Sequence, residues 1–259
     1  MLCKVRGVVL KADEYGENDK LLTLLTYERG KMVVLCKGAR SIKSKHMPSC
    51  EVFSLSEFSL YEKSGKYWVR ESCLVESFFE IRKNLEVLYV AYYLCDLANE
   101  YALYDTPDEN LLRLLLNSLF LLSKEKKDIR IIKSVFELKS SSLEGFMPDM
   151  GGCRYCSDMT ENVYFDAIEG DFVCSKCKDK LNLNEIMYQN TRLSPILILD
   201  ITLIETMIYI ISSPIEKVFS FSLPDRELDM LGKVSEAFVL HQLERGFKTL
   251  DFLNSLLKH

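Results

Sequence analysis

Four of the chain's nine cysteines stand in two pairs, Cys153-x2-Cys156 and Cys174-x2-Cys177, with 17 residues between the pairs. Two residues between cysteines let both sulfurs of a pair point inward from one tight knuckle. Two knuckles supply four thiolates, the tetrahedral soft-ligand set that Zn²⁺ prefers, and the linker falls in the usual range of roughly 15–20 residues. Gly151 and Gly152 precede the first pair and Gly170 the second, while Tyr164-Phe165-Asp166 and Asp171-Phe172-Val173 can form the short strands of a zinc ribbon. A catalytic zinc keeps one position open and usually recruits histidine or carboxylate. Four thiolates leave none open, and His46, His241 and His259 are all distant in sequence. The pattern therefore predicts one structural Zn²⁺, with an iron–sulfur cluster or metal-free thiols as the other readings. Such a site would stabilise a small insert with too little core of its own.

A second constellation is cationic. No Asp or Glu occurs between Arg29 and Cys50, whereas Arg29, Lys31, Lys37, Arg40, Lys43 and Lys45 fall there, with Gly38 and several serines. Cations on a connecting segment can follow a phosphate backbone and release its counterions. Tyr15, Tyr27, Phe53, Phe58, Tyr61, Tyr67 and Trp68 lie on neighbouring segments, and some could stack on unpaired bases. The plainer reading is a solvated loop beside core aromatics.

These residues need a frame. Residues 4–77 carry five strand-like runs: Val5 to Leu10, Leu21 to Thr26, Met32 to Cys36, Val52 to Tyr61, and Tyr67 to Val75. Gly16 with Asn18, Glu28-Arg29-Gly30-Lys31 and Ser64-Gly65-Lys66 mark turns, and Lys37 to Pro48 is a longer break. Five strands in that length fit a small closed barrel, though a sandwich would give similar signals. From about Phe78 the period becomes helical. Leu85 to Leu97, a helix opened by Pro107-Asp108-Glu109, and Ile129 to Leu143 ending at Gly145 follow in turn. Helical pattern resumes from Pro195 to Ile211 and again from Asp225, with Val239, Leu243, Leu250, Leu253 and Leu257 along one side. The expected fold is α+β and multidomain. Residues 1–80 form a five-stranded barrel, and 81–259 form a helical domain with a zinc-binding insert at about 148–182.

Composition narrows the function. With 259 residues, 48% hydrophobic and 27% charged, the chain is an ordinary globular one, and disorder or low-complexity architecture is excluded. Its net charge of -5 excludes a globally basic nucleic-acid coat protein. Residues 1–80 nevertheless carry 13 basic against 11 acidic side chains, leaving 20 against 27 for the rest, so the barrel is the half suited to a polyanion. The start has no export-signal pattern. Asp200 and Glu205 interrupt the most apolar stretch, Pro195 to Ile211, which reads as a buried helix rather than a membrane span. A reducing, intracellular setting disfavours disulfides, and Cys3, Cys36, Cys50, Cys73 and Cys95 read as free buried thiols.

Signs of catalysis are lacking: there is no Gly-rich phosphate loop, no dinucleotide fingerprint and no Gly-x-Ser-x-Gly elbow. Asp13/Glu14 and Glu17/Asp19 could bind a divalent metal for nuclease chemistry, but beside a predicted turn they read as solvated carboxylates. Besides a non-enzymatic DNA-binding protein, two readings stay open: a zinc-ribbon transcription or adaptor protein, and a metal-dependent nuclease.

Taken in order, Gly7-Val8-Val9-Leu10, Tyr15-Gly16-Glu17-Asn18-Asp19, Leu22-Thr23-Leu24-Leu25-Thr26, Gly30-Lys31 and Lys37-Gly38-Ala39-Arg40 resemble the amino-terminal barrel of the RecO family of bacterial recombination mediators. The resemblance continues through Phe136-Glu137-Leu138 and Gly145-Phe146-Met147-Pro148 into the four cysteines, and reaches Thr249-Leu250-Asp251-Phe252-Leu253. It implies an OB-fold followed by a helical domain bearing a zinc site. It implies binding of single- and double-stranded DNA, annealing of complementary strands, and action with RecR and RecF in loading RecA onto DNA coated by SSB. The acidic carboxy-terminal tail of SSB would meet the helical domain. The family's DNA contacts are basic residues of the barrel, the region that Lys31, Lys37, Arg40, Lys43 and Lys45 occupy here. No catalytic residue carries over, and the implied setting is the cytoplasm, at the nucleoid, without a membrane partner.

Overall fold

The computed structural model describes residues 2–158, 163–180 and 196–256. Five strands close a barrel: β1 (Leu2–Tyr15), β2 (Asp19–Thr26), β3 (Gly30–Cys36), β4 (Leu55–Lys63) and β5 (Lys66–Glu76). Neighbours run in the order β1-β2-β3-β5-β4, and β4 returns to β1. All pairs are antiparallel except β3 with β5, the topology of an OB-fold. Alternation explains the strands. Met32, Val34 and Cys36 of β3 point into the barrel, while Lys31, Val33 and Leu35 face outward, the period of 2 that a one-sided core demands. Val5, Val9, Leu22, Leu24, Phe58 and Leu60 complete that core.

The fourth strand starts at Leu55, later than the apolar run from Val52 predicts. A short 3-10 turn (Pro48–Cys50) precedes it, and Phe53 takes a left-handed φ of 75° as the chain turns back onto β1, where its N–H bonds the Val9 carbonyl.

The chain divides into two compact units. Residues 1–129 and 247–259 form the first, and 130–246 the second. In the first, the barrel packs with α1 (Leu85–Tyr101), α2 (Glu109–Lys124) and a short final helix. Each start has its cap: Asn84 Oδ1 accepts from the amides of Glu86 and Val87, and Asp108 Oδ1 from that of Leu111. The final helix, Lys248–Leu256, packs on α1 through a Tyr89–Phe252 ring stack with centroids 4.1 Å apart. Gly30 is required where β3 meets the segment after α1. Its φ is +60°, and a Cβ would fall 1.8 Å from the Thr106 carbonyl oxygen.

The second unit is built on α3 (Ile129–Leu143), whose residues 131 to 141 are buried on every side. A helix buried all round must pair its charges. Lys133 Nζ meets Glu137 at 2.9 Å and Glu236 at 2.8 Å, the Ser235 hydroxyl donates to Glu137, and Lys139 Nζ donates to the carbonyls of Ile211 and Ser213. β6 (Val163–Asp166) and β7 (Asp171–Cys174) form the ribbon hairpin, followed by α4 (Ser175–Lys180). Here the structure corrects the helix expected over Pro195 to Ile211. Ile196–Leu199 is a strand, β8, paired antiparallel with β6, and the helix, α5, begins at Ile201. The alternating Ile-Leu run fits a sheet edge, and the Asp200 side chain accepts the Leu203 amide, so the helix starts there. α6 (Asp225–Gln242) follows, and the final helix becomes α7. Pro195, Leu257, His259 and parts of the 148–182 insert lie outside the described residues.

Candidate metal centre and cationic loop

The four paired cysteines converge. One Sγ from each of Cys153, Cys156, Cys174 and Cys177 lies within 4.8 Å of every other, and Cys156 and Cys174 sulfurs are 3.7 Å apart. A metal bonding thiolates at about 2.3 Å in a tetrahedron separates its sulfurs by roughly 3.8 Å, so the set fits a metal ion. Local geometry explains the convergence. The Ser157 amide donates to the Cys153 carbonyl at 2.7 Å, closing the first knuckle. Gly152 has φ +113°, and a Cβ there would fall 2.6 Å from the Ser157 carbonyl oxygen. In the second knuckle β7 ends at Cys174 and α4 begins, and the Cys177 amide points at the Cys174 sulfur, 3.4 Å away. Although burial opposes it, backbone N–H groups aimed at Cys153 draw its thiol down to about 6, whereas the neighbouring Cys156 thiol, with burial, pushes Cys177 up to about 12. Among the described residues no other group of three or more His, Cys, Asp or Glu side chains converges in this way, and that includes the acidic residues around the β1–β2 turn.

Those acidic residues have a different role. They brace the cationic loop from Lys37 to Cys50. Asp19 Oδ1 accepts the Gly38 amide at 2.8 Å, and the Arg40 amide bonds the Asn18 carbonyl. The Arg40 guanidinium pairs with Glu14 at 2.9 Å and donates to the carbonyls of Gly16 and Glu17. At the far end Lys20 Nζ meets Glu51 at 2.7 Å, and His46 Nδ1 lies 2.8 Å from the Ser72 hydroxyl. Cys36 and Cys50, one at each end of the loop, both lie inside the barrel core. The neighbouring Cys36 thiol, with burial, holds the Cys50 thiol far above its ordinary range.

The six cations picked out by sequence divide into two sets. Arg29 pairs with Asp105 and lies over the Tyr67 ring, 5.3 Å from its centroid. Lys31 donates to the Asn99 carbonyl at 2.7 Å and sits over Tyr104, and burial pulls its pKa down. Arg40 is the brace just described. Lys37, Lys43 and Lys45 are exposed and form no ion pair among the described residues. The structure thus places Lys37, Arg40, Lys43 and Lys45 on one loop, and turns Arg29 and Lys31 toward the segment around Leu103–Thr106. Sequence reading passed over Ile42, 93% exposed beside Lys43. A lone apolar residue in a polar, basic stretch was the available signal. It also passed over Lys63 and Lys66, visible only as turn residues. Of the five scattered cysteines, Cys36, Cys50 and Cys95 are buried, but Cys3 is half-buried and Cys73 is exposed, contrary to expectation. Cys73 lies on the outer side of β5, opposite Glu57.

Two of the ribbon's four cations are engaged within it: Arg154 pairs with Asp171 at 2.9 Å, and Lys178 Nζ lies 3.9 Å from the Tyr164 ring centroid, while Lys176 and Lys180 are exposed. No helix among the described residues is long and apolar enough to cross a membrane.

Comparison with known proteins matches residues 1–78 to the family described as Recombination protein O N terminal, and 82–251 to Recombination protein O C terminal. A protein of Acetivibrio thermocellus named DNA repair protein RecO is 33% identical over 258 residues, covering 98% of this chain and 96% of its own length. One of the same name from Caldicellulosiruptor bescii is 27% identical over 97% of both chains, and one from Bacillus pumilus is 31% identical over 70% of both. An OB-type barrel, a helical region carrying four convergent cysteines, and these matches end to end place the chain in the RecO family of DNA repair proteins.

Proposed function

We propose that the chain is a non-enzymatic recombination mediator that binds single- and double-stranded DNA and anneals complementary strands. In this reading it works in the cytoplasm at the nucleoid, helping RecR, with RecF, to load RecA onto SSB-coated DNA, and its helical region receives the carboxy-terminal tail of SSB. The observation that carries it is the state of the cationic loop. Lys37, Lys43 and Lys45 project from a braced loop with no ion pair among the described residues, so their charge is available to phosphate. In this reading Arg40 braces the loop, while Arg29 and Lys31 stand at the other end of β3, held by Asp105 and the Asn99 carbonyl. Screening phosphate repulsion lets two complementary strands approach, and base pairing itself supplies the driving force.

The four cysteines would hold one structural Zn²⁺. With all four ligands from protein, the ion supplies folding energy rather than a reactive water. Arg154 and Lys178 are engaged within the ribbon, which favours the barrel over the ribbon as the nucleic-acid surface. The test is annealing of complementary oligonucleotides coated with SSB. Addition of the protein accelerates duplex formation without cleaving either strand. Annealing at the uncatalysed rate, or cutting of labelled DNA in Mg²⁺, would overturn the reading.

A further inference from the structure

The outer face of the β4–β5 hairpin carries an arrangement that barrel stability does not explain. Leu60 and Val69 pair across the hairpin and are buried, so the next pair, Tyr61 and Trp68, points outward. Their rings stack with centroids 5.2 Å apart and planes 11° apart, and Tyr61 is 37% exposed. Leu2 of β1 lies opposite Tyr61, and Leu35 of β3 opposite Trp68, extending an apolar row across four strands on the outside of the barrel. Two pairs toward the tip, past Glu62 and Tyr67, Lys63 and Lys66 stand directly opposite each other, both exposed and neither in an ion pair among the described residues. Like charges directly opposite on a ladder oppose pairing. In the other direction Glu57 and Glu71 line a groove with Lys4 and Arg6, so the cationic end is the tip alone.

We infer that this hairpin is a stacking platform for unpaired bases of single-stranded DNA. The outer faces of Tyr61 and Trp68 take the bases, and Lys63 and Lys66 neutralise the adjoining phosphates. The inference deepens the DNA-binding reading and rests on it, but it concerns a surface separate from the Lys37–Cys50 loop. Charge selects the occupant. A protein segment covering an apolar row has no need of two unpaired lysines at its edge, whereas a polyanion with flat bases uses both features.

Trp68 is the chain's single tryptophan, so intrinsic emission reports on this site. The full-length protein is titrated with fluorescein-labelled oligo(dT), reading dye polarisation for binding and tryptophan emission for stacking. The expected result is quenching of Trp68 in step with the polarisation rise. Tyr61→Ala weakens binding by about fivefold or more, and Tyr61→Phe keeps it. Lys63→Ala with Lys66→Ala flattens the log–log salt slope by about 1.4 for two single-strand phosphates. Oligo(dT) that binds while Trp68 emission and the Tyr61→Ala affinity stay unchanged overturns this site and leaves the DNA-binding reading intact. Absence of any polarisation change overturns both. A blue shift of Trp68 that grows with protein concentration and blocks oligo(dT) quenching assigns the row to a second copy instead.

Discussion

The cysteine ribbon and the cationic loop are both short segments with little apolar core of their own, and they are fixed by different means. In the ribbon, the cysteines and two of the four cations are turned upon the segment itself, while Lys176 and Lys180 stay exposed. Four thiols converge, Arg154 pairs with Asp171, and Lys178 lies over Tyr164. In the loop, backbone and side-chain bonds at the two ends do the fixing, through Asp19, Glu14 and the Lys20–Glu51 pair, and the three lysines between those anchors have no ion pair among the described residues. A region whose charges satisfy one another contributes to stability, whereas one that leaves like charges exposed holds them for something outside the chain.

Breaking the ribbon should give the largest structural effect and the smallest effect on binding. Cys174→Ser removes a ligand from the cluster, and prolonged chelation withdraws the ion it would hold. Loss of bound metal, on the order of several kcal/mol of local stability, and rapid proteolysis near the knuckles should follow, with oligonucleotide affinity unchanged. Metal analysis beside limited proteolysis checks this, and a parallel loss of affinity would mean the ribbon belongs to the binding surface.

Next in size is the buried pair on α3. Glu137→Ala takes a carboxylate partner from Lys133 in a buried setting, a loss of about 3 kcal/mol readable as a lower Tm. DNA binding should again be unaffected. Smaller still is the brace. The Arg40–Glu14 pair is largely exposed, so Arg40→Ala should cost under about 1 kcal/mol while raising amide exchange around Gly38. Its effect on the salt slope of duplex binding should be smaller than that of Lys43→Ala, which should flatten the slope by about 0.9. Equal effects from Arg40 and Lys43 would erase the distinction between anchored and available cations.

Much of this was legible in the residues. The cysteine spacing gave the cluster, because two-residue knuckles have a nearly fixed local geometry. The strand alternation gave the barrel, because its period is 2 and one face is wet. Sequence could not say which cations are engaged. Arg29 finds Asp105 and Lys31 finds Asn99, partners about 70 residues away that only the tertiary fold brings near. The strand at Ile196–Leu199 was read as helix because a four-residue apolar run has no periodicity to separate the two, and only pairing with β6 decides it. The acidic residues at the β1–β2 turn looked like free carboxylates until the loop they brace was placed beside them.

The most direct test of the central claim is the salt dependence of duplex-DNA affinity for the protein and for the Lys37→Ala, Lys43→Ala, Lys45→Ala triple variant. If these lysines meet phosphates, the log–log slope of the variant is shallower by about 2–3 while its thermal stability is unchanged. Parallel slopes for the two proteins would contradict the account.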